Sequence, residues 1–542
     1  MTITQYLNAM TLRMCGIMPA ESPTEEAKRV FVNDLDDIIR QKVVEAKTWY
    51  EGDSDELANL YRVDTMFEYP TEPYYWKNRR NFFWAVAVGE NEYKLTHSGF
   101  ARDMVDTIVS ICGTPVVKCA DERDREKLEH ILEENGFWGT YRKIQMPMTL
   151  VCGWGAYKID WKPQICGNVP VLTYHDALEV RFHKSGPMTV GMTYLYWYKD
   201  SDGTRYLLAE TRAKAGRGKT YKVIYNTFKV VSDQEISPCD GIPGIKHPRG
   251  WHDMPVPFGA PCSFYADNLH GYEGRSIYAG KIDLLDSLDQ AVSQQGQADR
   301  RSGPIDVFDL DYCERDPKTK MPRLPKTFER KFIGVRGRMS ADGSGTGRMP
   351  VQTTQPNMNI DMYSQEIESL KRMIIAGHLS PATMGIDVDK RSSSDTLHER
   401  NKETVFTRNH LIREEAAVLK DLLTQTLMAA EFLETGAITK TDYGVSVEFD
   451  ELSDVSFEGK IEALSTAYVN GAMSPEMFVD RLYGKSVSDE VREREIAYLK
   501  ENRAEKRQGL EESEEGMFGD VSGDEGRLPE GIEGAGQGDP GR

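Results

Sequence analysis

The 542-residue sequence predicts an α+β fold, and three patterns predict it. Apolar residues recur at helical spacing near both ends of the chain. Between residues 145 and 265 the spacing switches to the alternation of strands. After residue 393 comes one helical stretch of roughly 40 residues, or about 60 Å at 1.5 Å per residue. At about 150 residues per folding unit, the length allows roughly three or four units. With 39% hydrophobic and 10% aromatic residues, the chain can bury real cores, which excludes wholesale disorder.

Residues 24 to 50 read as the first helix. Thr24-Glu25-Glu26 opens it, Val30, Leu35, Ile38, Ile39, Val43 and Val44 form its apolar stripe, and Trp49-Tyr50-Glu51-Gly52-Asp53 closes it in a turn. A second helix is predicted from Phe100 to Cys112, with Met104, Val105, Ile108, Val109 and Cys112 on one face. Gly113-Thr114-Pro115 ends it, and Val116-Val117 begins a strand. Alternation in Ala156 to Trp161, Met192 to Tyr198 and Tyr221 to Tyr225 marks strands, with Asp202-Gly203 as a hairpin turn.

Helical spacing returns at Ser276, with Ile277, Ile282, Leu285, Leu288 and Val292 as the stripe. Asp283, Asp286 and Asp289 step every three residues beside it and read as a solvated acidic face; Gly303-Pro304 ends the helix. The chain to about Gln355 is rich in Pro, Gly, Lys and Arg and shows little periodicity. A short helix covers 361 to 376, and 377 to 392 is a loop. The long helix follows from Ser393 or Ser394 to Glu434, closed by Gly436. Its first half is polar and expected to be wet, whereas Leu411, Leu419, Leu422, Leu423, Leu427 and Phe432 make the rest apolar. A strand from Val445 to Phe449 precedes three helices: one capped by Ser456, one opened by Ser474-Pro475-Glu476, and one from about Ser488 to Arg507.

Charge narrows the function classes. Against 67 Lys and Arg stand 86 Asp and Glu, for a net charge of −19. Residues 509 to 542 hold ten acidic and two basic residues, so they carry −8 and leave −11 for the rest. That glycine-rich acidic tail is expected to be disordered. A net negative body does not grip nucleic acid by neutralising phosphates, although it can surround a duplex without holding it. The longest apolar run, Phe82 to Val88, is far short of the roughly 18 residues that span a bilayer, and no signal-peptide pattern opens the chain.

No catalytic constellation is found. Eight cysteines (15, 112, 119, 152, 166, 239, 262, 313) include no C-x-x-C and read as small core residues. Ten histidines form no metal motif. Gly216-Arg217-Gly218-Lys219-Thr220 resembles a phosphate loop, but Ala213 stands where its first glycine belongs and a strand follows, so a hairpin turn is expected. Gly343 to Gly347 reads as a flexible loop tip. The expectation is no enzyme, no metal and no cofactor.

The order of elements from about residue 30 to 505 resembles the portal proteins of tailed bacteriophages. Trp49-Tyr50-Glu51-Gly52 is similar to that family's opening helix and turn, and His97 to Asp106 running on to Gly113-Thr114-Pro115-Val116 is similar to its next helix and strand. Gly274-Arg275-Ser276-Ile277 into Ile282-Asp283-Leu284-Leu285-Asp286 looks like the first stem helix. His378-Leu379-Ser380-Pro381-Ala382-Thr383-Met384-Gly385, on to Ser394-Asp395-Thr396-Leu397, resembles the tunnel-loop tract, departing from it at Asp395-Thr396. Gly471 to Glu476 is similar to the link between crown helices.

The resemblance implies a division into an N-terminal arm and mixed α/β wing (1–275), first stem helix (276–303), clip (304–355) and second stem helix (356–377). A tunnel loop (378–393), long tunnel helix with wing return (394–454), helical crown (455–508) and acidic tail (509–542) complete it. It implies a ring, typically of twelve copies, at the portal vertex of a virion made in the host cytoplasm. Double-stranded DNA passes through such a ring, driven by the terminase large subunit; head-tail adaptor, major capsid and scaffolding proteins are the further partners, with no membrane. Channel-facing residues would be Asp283, Asp286, His378, Asp387, Asp389, Lys390 and Arg391. Another connector or minor head protein is the alternative, and a nucleic-acid enzyme on a helical scaffold a further one.

Overall fold

The computed structural model describes residues 7, 11, 30–31, 34–61, 78–86, 95–161, 167–185, 188–215, 220–232, 235–245, 250–267, 273–301, 305–309, 315–321, 331–335, 351–354, 360–386, 401–449, 464–466, 468, 473–483 and 491–501. It divides into two compact units, residues 1–452 and 453–542. Helices and sheets are both present in the first, so the chain is α+β, as the two periodicities predict.

The chain enters through β1 (Val30–Phe31), followed by α1 (Asp34–Glu51) and α2 (Ser54–Leu60). The first helix therefore starts ten residues later than its stripe suggests. Val30 and Phe31 instead pair with Ile236 and Glu235, and a sheet edge outweighs local helical spacing. Gly52, after α1, has φ of +71°, and a Cβ there would lie 2.8 Å from the His97 ring, so glycine is required on two counts.

The helix predicted from Phe100 to Cys112 has those bounds (α3), and its entire predicted face is buried. β2 (Val116–Lys118) follows, then α4 (Glu122–Glu134). A π-helical turn at Tyr141–Gln145 leads into α5 (Met146–Cys152), which places a helix inside the region expected to be all strand. Pro147 near its first position favours that start.

The strands then come in quick succession: β3 (Trp154–Asp160), β4 (Val171–Asp176), β5 (Val180–Ser185), β6 (Met188–Lys199), β7 (Arg205–Ala215), β8 (Thr220–Ser232), β9 (Glu235–Pro238), β10 (His252–Met254) and β11 (Ala260–Ser263). One sheet runs β1-β9-β8-β7-β6-β5 with β10 also on β8, and a second runs β11-β3-β4. Asp202-Gly203 turns between β6 and β7 as predicted, Gly203 having φ of +80°. Ala215 pairs with Thr220, so β7 and β8 form an antiparallel hairpin pair, as expected, with residues 216–219 outside the described residues.

α6 (Ile282–Arg301) begins after a turn at 277–281, six residues later than expected. β12 (Ile305–Asp309), β13 (Lys331–Val335) and β14 (Val351–Thr354) form a three-stranded sheet in the order β13-β12-β14. This sheet was not expected, since each strand is only four or five residues long. α7 (Ile360–Ile375) follows. α8 (Lys402–Thr435) is the long helix, 34 residues or about 51 Å, and the predicted start at 393 or 394 lies outside the described residues. Its polar first half is not uniformly wet: Thr404, Thr407, Arg408 and Glu415 are buried, and Arg408 Nε donates to the Ile111 carbonyl at 2.7 Å. β15 (Ser446–Glu448) returns to pair with β2.

The main core gathers α1, α3, α5, α6, α7 and α8 around β3 and β11. In the second unit, α9 (Pro475–Tyr483) starts at Ser474, whose Oγ accepts the Met477 N–H at 3.2 Å. This is the cap the Ser-Pro-Glu pattern predicts. A helix at 491–501 joins it through Arg492 to Asp480 at 3.5 Å.

Candidate functional site

Of the residues singled out from sequence, Asp283, Asp286 and His378 are among those described, and they lie at the foot of α6 and the end of α7. Lys281, just before α6, donates its ammonium to the carbonyls of Met373 and Ala376 at 2.9 and 3.0 Å. The start of α6 thus meets the end of α7, and the two helices run antiparallel along each other. A cation at a helix C-terminus also complements the partial negative charge there. Beyond their far ends, β12 and β14 pair antiparallel, Ile305 with Thr354 and Phe308 with Val351. In chain order α6, β12, β14 and α7 thus make a ribbon of two antiparallel pairs, with residues 302–304 and 355–359 between them outside the described residues.

Asp283, Asp286 and Asp289 have different fates on that ribbon. Asp283 is exposed, 3.8 Å from Arg79. Asp286 and Asp289 are buried, which corrects the reading of a solvated acidic face. Asp286 accepts the main-chain N–H groups of Phe83 and Trp84 at 2.8 and 3.4 Å. Asp289 accepts from the Trp84 indole at 3.1 Å and the Ser98 N–H at 2.8 Å, and lies 2.7 Å from His97 Nδ1. Ser293 completes the row by accepting the Thr96 N–H. Positions 286, 289 and 293 share one helical face. That face is a polar rail holding residues 83–84 and 96–98. Burial pushes the Asp286 carboxyl up to about 6, opposed by the two N–H donors.

His378 is half-buried beside Tyr265, ring centroids 5.7 Å apart and edge-on. Burial, with Lys281 and Arg275 nearby, lowers its pKa to about 4, so it is neutral at pH 7. Asp387, Asp389, Lys390 and Arg391 lie outside the described residues, as does the tail beyond 508. No group of His, Cys, Asp and Glu among the described residues could hold a metal ion.

Sequence reasoning missed the recess beside this junction. A cavity of about 160 Å³ opens between α1, the Arg79 turn, the start of β3 and residues 274–282. It exists because two backbones cross closely: a Cβ on Gly274 would lie 2.2 Å from the Gly153 carbonyl, and Ile277 N–H donates to Leu150 O at 3.0 Å. The only sequence signal was the pair of glycines, 153 and 274, which says nothing about their meeting.

α8 carries a single exposed stripe through Glu403, Phe406, Asn409, Arg413, Ala417 and Lys420. Its other faces pack on β3, β11, β15 and α3.

No known family model matches the chain, and no curated protein does. Among solved structures, it is similar to the neck of a native gene transfer agent particle computed with C12 symmetry, at 13% identity over 71% of this chain and 89% of that one, with a TM-score of 0.33. It is likewise similar to the virion of a native gene transfer agent particle (13%, 69% and 85%, 0.35) and to the neck of an empty particle computed with C6 symmetry (12%, 73% and 96%, 0.32). TM-scores this far below 0.5 do not fix an architecture.

Proposed function

We propose that the chain is a ring-forming connector subunit of the portal kind, at one vertex of a tailed-phage-like virion. Copies, twelve in the usual arrangement, surround a channel for double-stranded DNA. A terminase supplies the motor, and adaptor proteins dock afterwards.

The observation that carries this reading is the ribbon of α6, β12, β14 and α7. An antiparallel helix pair rooted in the main core and tipped by a small sheet is a stalk, suited to line a wall with its helices and present its tip to a docking partner. The exposed stripe of α8 supports the same reading, because it mixes Glu, Asn, Arg and Lys with no run of one sign. Such a surface lets a duplex pass without adhering, since tight phosphate binding needs several cations together. With Asp286 inside the protein, the acidic contribution from α6 is Asp283 alone among the three aspartates.

The test is end-on negative-stain imaging of the purified protein with a mass measurement in solution. Closed rings of about twelve copies are the expected outcome. A monomer or dimer at every concentration would refute the reading.

A further inference from the structure

We propose that Glu415, midway along α8, is a proton-operated catch. With its proton on, the helix closes against β11 and the π-helical turn at Tyr141–Gln145; with the proton off, water enters between them and this stretch of α8 loosens. The inference concerns a single chain and does not depend on the ring reading.

Glu415 is 1% exposed and sits where several segments meet α8. Cys262 of β11 faces it, Sγ donating to Oε2 at 3.6 Å. Tyr141 of the π-helical turn, Tyr157 of β3 and Cys112 of α3 complete the wall, all of them buried. Oε1 has no hydrogen-bond partner, and among the described residues no cation pairs with the carboxyl. Ionised, it would be an uncompensated charge in an apolar interior, which a protein relieves by keeping the proton or by admitting water. Burial pushes the carboxyl up to about 7. Burial raises the four neighbours as well, Cys112 to about 12, so they stay neutral while Glu415 titrates.

Charged groups on α8 and on the elements packed against it are engaged elsewhere. Arg408, two turns earlier, donates to the Ile111 carbonyl at 2.7 Å, and Arg413 pairs with Glu414 at 3.0 Å. Lys158 of β3 reaches Glu210 at 3.0 Å, and Asp106 of α3 accepts from Tyr50 at 2.9 Å. Lys127 of α4 meets Glu434 at 2.8 Å, and Glu448 of β15 lies 3.4 Å from Lys118 of β2. His410 Nε2 is 2.9 Å from the Phe264 carbonyl.

These contacts also mark the stretch that can move. Arg408 and His410 fasten α8 on one side of Glu415. Gln425 fastens it on the other, accepting the Gly259 N–H at 3.0 Å and donating to the Gly259 carbonyl at 3.2 Å. Between those fastenings the joint rests on buried leucines and on Glu415. Across from it, Gln145 likewise leaves its Oε1 buried without a partner, so both walls gain hydrogen bonds when water enters.

Hydrogen exchange of the full chain, read by mass spectrometry at pH 6 and pH 8 with labelling times scaled for the intrinsic rate, tests the catch. Peptides covering 411–423 and 141–150 should exchange about tenfold faster at pH 8, the factor for a carboxyl that titrates at about 7 when closed in and at 4.5 when open. Strands β6 and β7, which contribute no group to the cluster, should keep their rates. Glu415→Gln retains an acceptor for Cys262 but cannot ionise, and should exchange equally at both pH values. Glu415→Met carries the same expectation if circular dichroism shows that the amide impairs folding. Equal wild-type rates at pH 6 and 8 overturn the proposal. So does an acceleration shared by all regions, or one that persists in Glu415→Gln and so belongs to His410.

Discussion

Asp286 shows how a buried carboxylate can serve as scaffold. Two main-chain donors, Phe83 and Trp84, rely on it, and neither has another acceptor on the rail. Asp286→Leu should cost roughly 2–3 kcal/mol in urea unfolding, because it strands both donors. Asp286→Asn, keeping one acceptor oxygen, should cost about half as much. Glu415 of α8 makes a different prediction. It is fully enclosed, facing Cys262 at 3.6 Å and close to Tyr141, Tyr157 and Cys112, and its Oε1 has no partner. Burial pushes its carboxyl up to about 7 from 4.5, with Cys262 and Tyr141 opposing. A raised folded value means the associated stability is complete below about pH 4.5 and is lost as pH rises through 7. The loss should approach about 3 kcal/mol by pH 8. Urea midpoints from pH 5 to 8 read it directly, and Glu415→Gln should flatten that slope.

At the scale of elements, the two sheets of the strand-rich region are tied by two cations, Arg212 and Lys158. Arg212 on β7 donates to Glu210 at 2.7 Å, to Asp160 of β3 at 2.7 Å and to the Ile159 carbonyl at 2.6 Å, with Trp161 beneath it. Lys158 adds a second contact to Glu210 at 3.0 Å. Although burial opposes ionisation, Arg212 and Lys158 hold Glu210 down at about 2. Arg212→Ala takes the guanidinium from two carboxylates, leaving Lys158 alone to face them, and should cost about 3 kcal/mol, read as a lowered thermal midpoint.

Much of this architecture was readable in the sequence. α3 was bounded by a clean 3.6 stripe and a Gly-Thr-Pro stop, and α9 by a Ser-Pro-Glu start; both signals are local. What escaped reading depends on distant partners. Val30 and Phe31 become a strand because β9 lies beside them, and Asp286 becomes internal because Phe83 and Trp84 lie across it. β12, β13 and β14 are too short to show alternation, and the recess is a meeting of segments more than a hundred residues apart.

At the scale of the whole molecule, net charge bears on the proposed ring. Each copy brings −19, so copies repel at long range unless salt screens them. The Debye length falls from roughly 30 Å at 0.01 M to about 3 Å at 1 M. Rings should therefore form more completely in about 0.5 M salt than in about 0.02 M, as mass photometry would show. Deleting residues 509 to 542 removes −8 and should shift that dependence to lower salt.

The small sheet at the end of the ribbon has an engineering consequence. Val335 lies opposite Asp309, and Val351 lies opposite Phe308, on either side of the same central strand. Two chain ends therefore stand only about 10 Å apart, two strand spacings, whatever joins them. Doubling the length of such a connection costs only about 0.6 kcal/mol of closure entropy. Residues 336 to 350 are thus a natural port for a grafted epitope or affinity handle, one that leaves both helices undisturbed.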